Sequence, residues 1–336
     1  MKKLIALTLF ALVAFASCKK DTTNTTTTTP PATTPAPQLR FVFKFDSTQV
    51  RLNDSGNVAV LPATHRAQCP HFNGMSVHHI EMAQTNTTAV GFGAVLYTTP
   101  TNTNVPSVTV WNSSHTNSQT YTDAIIFDDE TVVGNGVQFF SKPLSQITPG
   151  TYPYLRVSVA YQNYDIKYTI NAGSYPTYTL TSPYNGTGTI ASFIGYNTYI
   201  NSYKIKTQTV TVDSAKQQGY WSFETPYIVG GVTYTTTVSK GQSPQGATTV
   251  VNPLFASSSV PPGSCLVTGQ FVSPTGTYEP LTITGHETSD IVITVSMSTN
   301  NSFEWIENTG DNNFNPANGD VVVDMGVRGM KPILPN

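Results

Sequence analysis

The 336-residue chain sets 17 Lys and Arg against 19 Asp and Glu, a formal net charge of −2, and only 11% of its residues are charged, against about 25% in a typical soluble chain. With no basic stripe and no aromatic–basic interleaving, it lacks the phosphate-neutralising surface that nucleic-acid binding needs, and nucleic acid is excluded as a partner. Solubility must rest on Thr, Asn, Ser and Tyr, a habit of secreted β proteins.

The chain opens MKKLIALTLFALVAFASC, with Lys2 and Lys3, an apolar run from Leu4 to Ala16, then Ser17 and Cys18. A charged start, a short apolar core and a small residue at the cut predict a secretory signal peptide over 1–17. The run is too short to span a hydrocarbon layer of about 30 Å. The ending Phe15-Ala16-Ser17-Cys18 resembles a bacterial lipobox, with Phe15 where Leu or Val is commoner. The resemblance implies that Cys18 becomes the first mature residue and carries acyl chains, and several chains at about 0.8 kcal/mol per buried CH₂ anchor firmly to a membrane. The alternative is a plain signal peptide with a coincidental cysteine. Cys18-Lys19-Lys20-Asp21 also resembles the start of Bacteroidetes-type cell-envelope lipoproteins, where a charged cluster after the cysteine directs surface display. Here the usual acidic pair is a single Asp21. That resemblance implies an outer-membrane or cell-surface location.

DTTNTTTTTPPATTPAPQ follows. It has no periodicity and almost no apolar side chain, so it cannot bury enough surface to offset its ordering entropy. Residues 18–38 are predicted to be the lipid anchor and a disordered tether. From Leu39 the texture changes. LRFVFKF alternates and is aromatic, and MSVHHIEMA, AVGFGAVLYTT, VPSVTVW, DAIIF and VVGNGVQFF follow between Asn, Gly, Pro and Thr clusters. TPGTYPYLRVSVAY begins with a Pro-Gly turn. SYPTYTLTS, YKIKTQTVTV, GYWSFET, GGVTYTTTVS, SCLVTGQFVS, PLTIT and DIVITVSMS all read as strands. With 24 Gly and 23 Pro, few windows tolerate a helix, and only GTIASFIGYNTYI fits a short helix or a strand equally. Residues 39–336 are therefore predicted to be all-β, an antiparallel β-sandwich, with a possible split into two domains near 171–185.

Three of the six histidines fall in HFNGMSVHHIEM, residues 71–82. Strand alternation places Met75, Val77, His79 and Glu81 on one face and Ser76, His78, Ile80 and Met82 on the other. A metal site therefore needs partners from elsewhere, with His65, Cys69 and His71 just upstream. Imidazole and thioether ligands suit copper, so His71, Met75, His78, His79 and Met82 are the candidate ligands. The ordinary reading is a half-buried and an exposed strand histidine. Cys69-Pro70-His71…Met75 resembles the blue-copper loop, but the Cys-to-His gap is one residue and no distant upstream histidine exists, so a cupredoxin is excluded. Phe41-Val42-Phe43-Lys44-Phe45, the Met75–Glu81 strand and Gly219-Tyr220-Trp221 resemble features of the methanobactin-associated copper-binding family, though the order within the aromatic motif differs. That resemblance implies copper capture with tryptophan near the metal.

Other constellations have a plain reading beside the functional one. Asp311, Asn313, Asn315 and Asp320 offer oxygens of the kind Ca²⁺ takes, but Pro316 stands where a calcium loop needs Gly and the closing Glu is missing; an Asx-rich turn is the alternative. Asp128-Asp129-Glu130 reads as a cation or acid–base site or a solvated turn. His286-Glu287 lacks the second histidine of a zinc motif. Cys69 and Cys265 either form a disulfide, adding about 4–5 kcal/mol by chain entropy, or remain buried inert thiols. Tyr220, Trp221 and Trp305 are the candidate glycan-stacking residues, or else core aromatics. No nucleophile elbow, phosphate loop or dinucleotide fingerprint is present, so no catalysis is expected. Three functions remain for a tethered envelope protein: metal capture, glycan binding, and an adhesin or assembly role.

Overall fold

Alternation in the first strand sets the architecture. β1 (Gln38–Asp46) buries Leu39, Phe41 and Phe43 completely and leaves Lys44 in solvent, the period-two pattern of a strand with one face on a core. The computed structural model describes residues 35–53, 56–99, 101–102, 108–111, 118–121, 124–175, 178–193, 199–212, 219–229, 232–242, 266–308 and 310–336. The expected signal peptide, Cys18, most of the expected tether and Cys265 lie outside them.

The other main strands are β2 (His65–Gln68), β3 (His71–Ala83), β4 (Ala94–Thr98), β5 (Gln138–Pro143), β6 (Tyr154–Ile170) and β7 (Tyr184–Phe193). They continue with β8 (Tyr220–Val229), β9 (Val232–Gln242), β10 (Leu266–Gln270), β11 (Ile291–Ser298), β12 (Phe303–Ile306), β13 (Val321–Asp324) and β14 (Met330–Ile333). The protein is all-β: short 3-10 turns are the only helical segments among the described residues. The ambiguous GTIASFIGYNTYI runs as strand through Phe193.

A four-stranded sheet has the order β14-β11-β1-β5, with β1 and β11 parallel. A seven-stranded sheet runs β9-β8-β7-β6-β3-β4, with β10 also on β6. Leu39, Phe41, Phe43, Ile293 and Val295 from the first sheet share one core with Val77, Ile80, Val157 and Ile166 from the second. The other face of the large sheet is covered as well, by a second core that includes Tyr161, Phe193, Tyr203 and Val210. Burial on both faces explains why β6 is almost continuously buried along 17 residues. Ala36–Asn336 cluster as one compact unit, and the 171–185 stretch holds a hairpin of Gly173–Tyr175 with Tyr178–Leu180. A small sheet, β2-β12-β13, completes the frame used below.

Candidate functional site

The histidine-rich strand does not keep simple alternation. His79 faces Ser158 and Val77 faces Val159, which leaves His78 as an extra, unopposed residue, a β-bulge. The bulge reverses the faces assigned from strict alternation. Met75, Val77, Ile80 and Met82 all enter the same core. His79 and Glu81 therefore lie across the strand from both methionines, which are fully buried. His71 is exposed at the opposite end of β3, against Asp165, eight residues from His79 and thus about 26 Å away at strand rise.

His79 and Glu81 instead take part in a structural network. His79 Nδ1 lies 2.9 Å from Thr98 Oγ1. The fully buried Glu81 carboxylate accepts the Gly93 and Gly91 N–H groups at 2.7 and 3.0 Å. It sits 3.6 Å from Arg156 Nη1, and Arg156 Nη2 donates to Thr88 O at 2.8 Å. Burial opposes ionisation of Glu81, but His79, the two N–H groups and Arg156 together outweigh it and hold the carboxyl below its usual range. No group of three or more His, Cys, Asp and Glu side chains placed to hold a metal occurs among the described residues.

The remaining sequence candidates resolve individually. Asp311 Oδ1 accepts the Asn313 N–H at 2.8 Å, while the Asp320 carboxylate accepts those of Asn308 and Asn315 at 2.9 and 2.7 Å. These oxygens brace a turn. Asp128 and Asp129 are exposed in a 3-10 turn, whereas burial pushes the Glu130 carboxyl up. Glu287 closes the His286 turn by accepting from Thr284 and Gly285. Cys69 is an exposed free thiol whose Sγ accepts the Asn301 N–H at 3.2 Å. Its proposed partner Cys265 falls outside the described residues. Tyr220 is buried in the second core, and the Trp221 ring crosses Gly241 so closely that a Cβ there would come within 2.3 Å. Neither is an open stacking platform.

Trp305 has a different setting. It is 2% exposed and packs on Phe303 and Phe314, yet it lines a cleft of about 740 Å³ between the small sheet and the neighbouring ends of β6 and β7. Four aromatic residues line this cleft: Tyr168, Tyr184, Trp305 and Phe314. The Tyr168 and Tyr184 rings lie 6.0 Å apart across Gly186. A Cβ on Gly186 would meet them at 2.9 and 2.6 Å, so only glycine lets both rings close over the backbone there. The polar rim is held by its own hydrogen bonds. Gln68 clasps the Lys167 backbone, donating to its O and accepting its N–H, both at 2.9 Å. Thr169 donates through Oγ1 to Asn185 Oδ1 at 2.7 Å, and its N–H joins Phe314 O at 2.8 Å. Arg66 Nε donates to Asn312 Oδ1 at 2.5 Å. Apart from Trp305, no sequence pattern pointed to these residues, because they come from four separated segments.

Behind Trp305, on the opposite face of β12, lies a buried ionic network. Glu304 accepts from Arg51 Nη2 and sits 2.5 Å from His65 Nδ1. Its neighbour in register is Asp324, which pairs with Arg328. Burial pushes the Asp324 carboxyl up to about 6, against the pull of Arg328. The network fixes the strand that presents Trp305. The chain matches no family model, no curated protein and no solved structure.

Proposed function

We propose that the protein is a non-catalytic cell-envelope lipoprotein, held at the membrane through acylated Cys18 and its Thr/Pro-rich tether, that binds carbohydrate in the cleft beside Trp305. The observation that carries this reading is the chemistry of the lining. Besides the four aromatic residues, six residues offer a neutral amide or hydroxyl: Gln68, Thr169, Asn185, Thr187, Asn312 and Asn313. Sugars present apolar C–H faces and a rim of hydroxyls. The half-exposed Tyr184 ring can meet such a face, with the buried Tyr168, Trp305 and Phe314 rings as the floor beneath it, and amides both donate to and accept from the rim. The volume lies within the roughly 300–1,000 Å³ of small-ligand sites. Among the described residues the lining offers amides and hydroxyls and no carboxylate, imidazole or thiol, whereas glycoside hydrolysis takes a pair of carboxyl groups; the reading is therefore one of binding.

Copper capture by the 71–82 segment has less to rest on, because Met75 and Met82 face the core and His71 stands far from His79. Affinity gels cast with a broad panel of polysaccharides check the carbohydrate reading. At least one polymer is expected to retard the protein, and Tyr184→Ala and Asn185→Ala to weaken that retardation; uniform mobility across the panel overturns it. The anchor is checked by intact-protein mass. Acyl chains on Cys18, lost in Cys18→Ala together with membrane association, are expected, and an unacylated native chain removes this part of the proposal.

A further inference from the structure

We infer that the cleft takes acidic saccharides, glycans containing hexuronate units, with Lys167 as the counter-charge to the sugar carboxylate. The inference rests on the carbohydrate reading above and adds the charge of the ligand. Lys167 is the one charged residue among the described residues that line the cleft, and it is exposed. Its ammonium forms no salt bridge among the described residues. Its backbone is fixed by the Gln68 amide on both its N–H and its O, so the cation is mounted on an immobilised segment rather than a loose loop.

The acidic residues nearest in sequence to the lining are held by bonds of their own: Glu304 lies in the buried network behind Trp305, and Asp165, two residues from Lys167, accepts from Thr189 Oγ1 at 2.6 Å. Glu307 accepts the Gly310 N–H at 3.0 Å and the Trp305 indole N–H at 3.4 Å, and Asp311 accepts that of Asn313. Lys167 thus offers an ammonium without an ion-pair partner among the described residues, beside neutral amides, with the Arg66 guanidinium behind Asn312 and the Glu307 and Asp311 carboxylates held by neutral donors at the margin. A single ammonium balances one carboxylate per sugar unit. The rim guanidinium, Arg66, commits Nε to Asn312 and Nη1 to the Ala63 and His65 carbonyls, and no helix N-terminus occurs among the described lining residues; these are the groups that commonly hold a phosphate dianion, which favours a uronate over a phosphorylated ligand.

The test uses the full chain in detergent, with alginate, polygalacturonate and hyaluronan in affinity gels, each beside its carboxyl-reduced counterpart. At low salt, at least one acidic polymer is expected to bind about tenfold more tightly than its reduced form, a difference of ~1.4 kcal/mol. Lys167→Gln should erase that preference and Lys167→Arg should keep it. Equal or tighter binding of the reduced polymers, or a preference that survives Lys167→Gln, overturns the charge assignment while the carbohydrate reading stands. Failure of every polymer, acidic and reduced, in this set and in the broad panel overturns both.

Discussion

Replacing Glu304 with Gln removes one charge from a buried, balanced quartet. The side chains of Arg51, Glu304, Asp324 and Arg328 are 11%, 6%, 12% and 1% exposed, two cations against two anions. Glutamine keeps the shape of Glu304 but leaves Arg51 partly desolvated with no anion on its Nη2. Breaking a buried pair from one side costs about 3–5 kcal/mol. The lower end applies here, since Arg51 keeps its bond to Asn301 O and loss of the Glu304 charge makes Asp324 easier to ionise. In urea, with a slope of about 3 kcal/mol/M, a loss of 3 kcal/mol lowers the midpoint by about 1 M. The double variant Arg51→Met/Glu304→Gln removes both charges and should recover much of the loss, giving a coupling of about 2 kcal/mol in a double-mutant cycle. A midpoint shift under about 0.3 M at unchanged slope, or additive single and double variants, refutes the idea that the pair is buried and coupled.

Two further outcomes follow from the same geometry. Because the folded Asp324 carboxyl titrates near 6 rather than 3.8, the folded state holds that proton more tightly; its stabilising contribution is complete below the unfolded value and is lost as pH rises through about 6, on the order of 3 kcal/mol. Urea midpoints measured from pH 4.5 to 7 should therefore fall with a component that is absent in Asp324→Asn, and parallel profiles for the two proteins contradict the raised value. Gly186→Ala, which drives a methyl group against the Tyr168 and Tyr184 rings, should cost about 1–3 kcal/mol by overpacking and weaken polysaccharide retention; a variant of native stability and native retention shows that the rings do not close over this backbone.

The residues of β1 carry their own outcome. Leu39, Phe41 and Phe43 alternate with polar neighbours, and a strand with one face on a core follows from a period of two wherever it sits. The all-β class was legible for the same reason, being local information repeated along the chain. The segment 71–82 shows where this stops. Its composition suggested strand and histidine chemistry, but one extra residue at His78 turned Ile80 and Met82 onto the core face, and a bulge is a property of the pairing with β6 rather than of β3 alone. Trp305 was visible as an aromatic but not as part of a cleft. Its companions Gln68, Lys167, Tyr184 and Asn185 lie on three other strands, and the Glu304 network joins residues about 250 positions apart in the chain. Local sequence determined which segments are strands and which faces tend to be apolar. Only the tertiary structure decided register, the reversal of faces and the meeting of distant polar groups, because each depends on which strands pair and pack, and no residue encodes its partner.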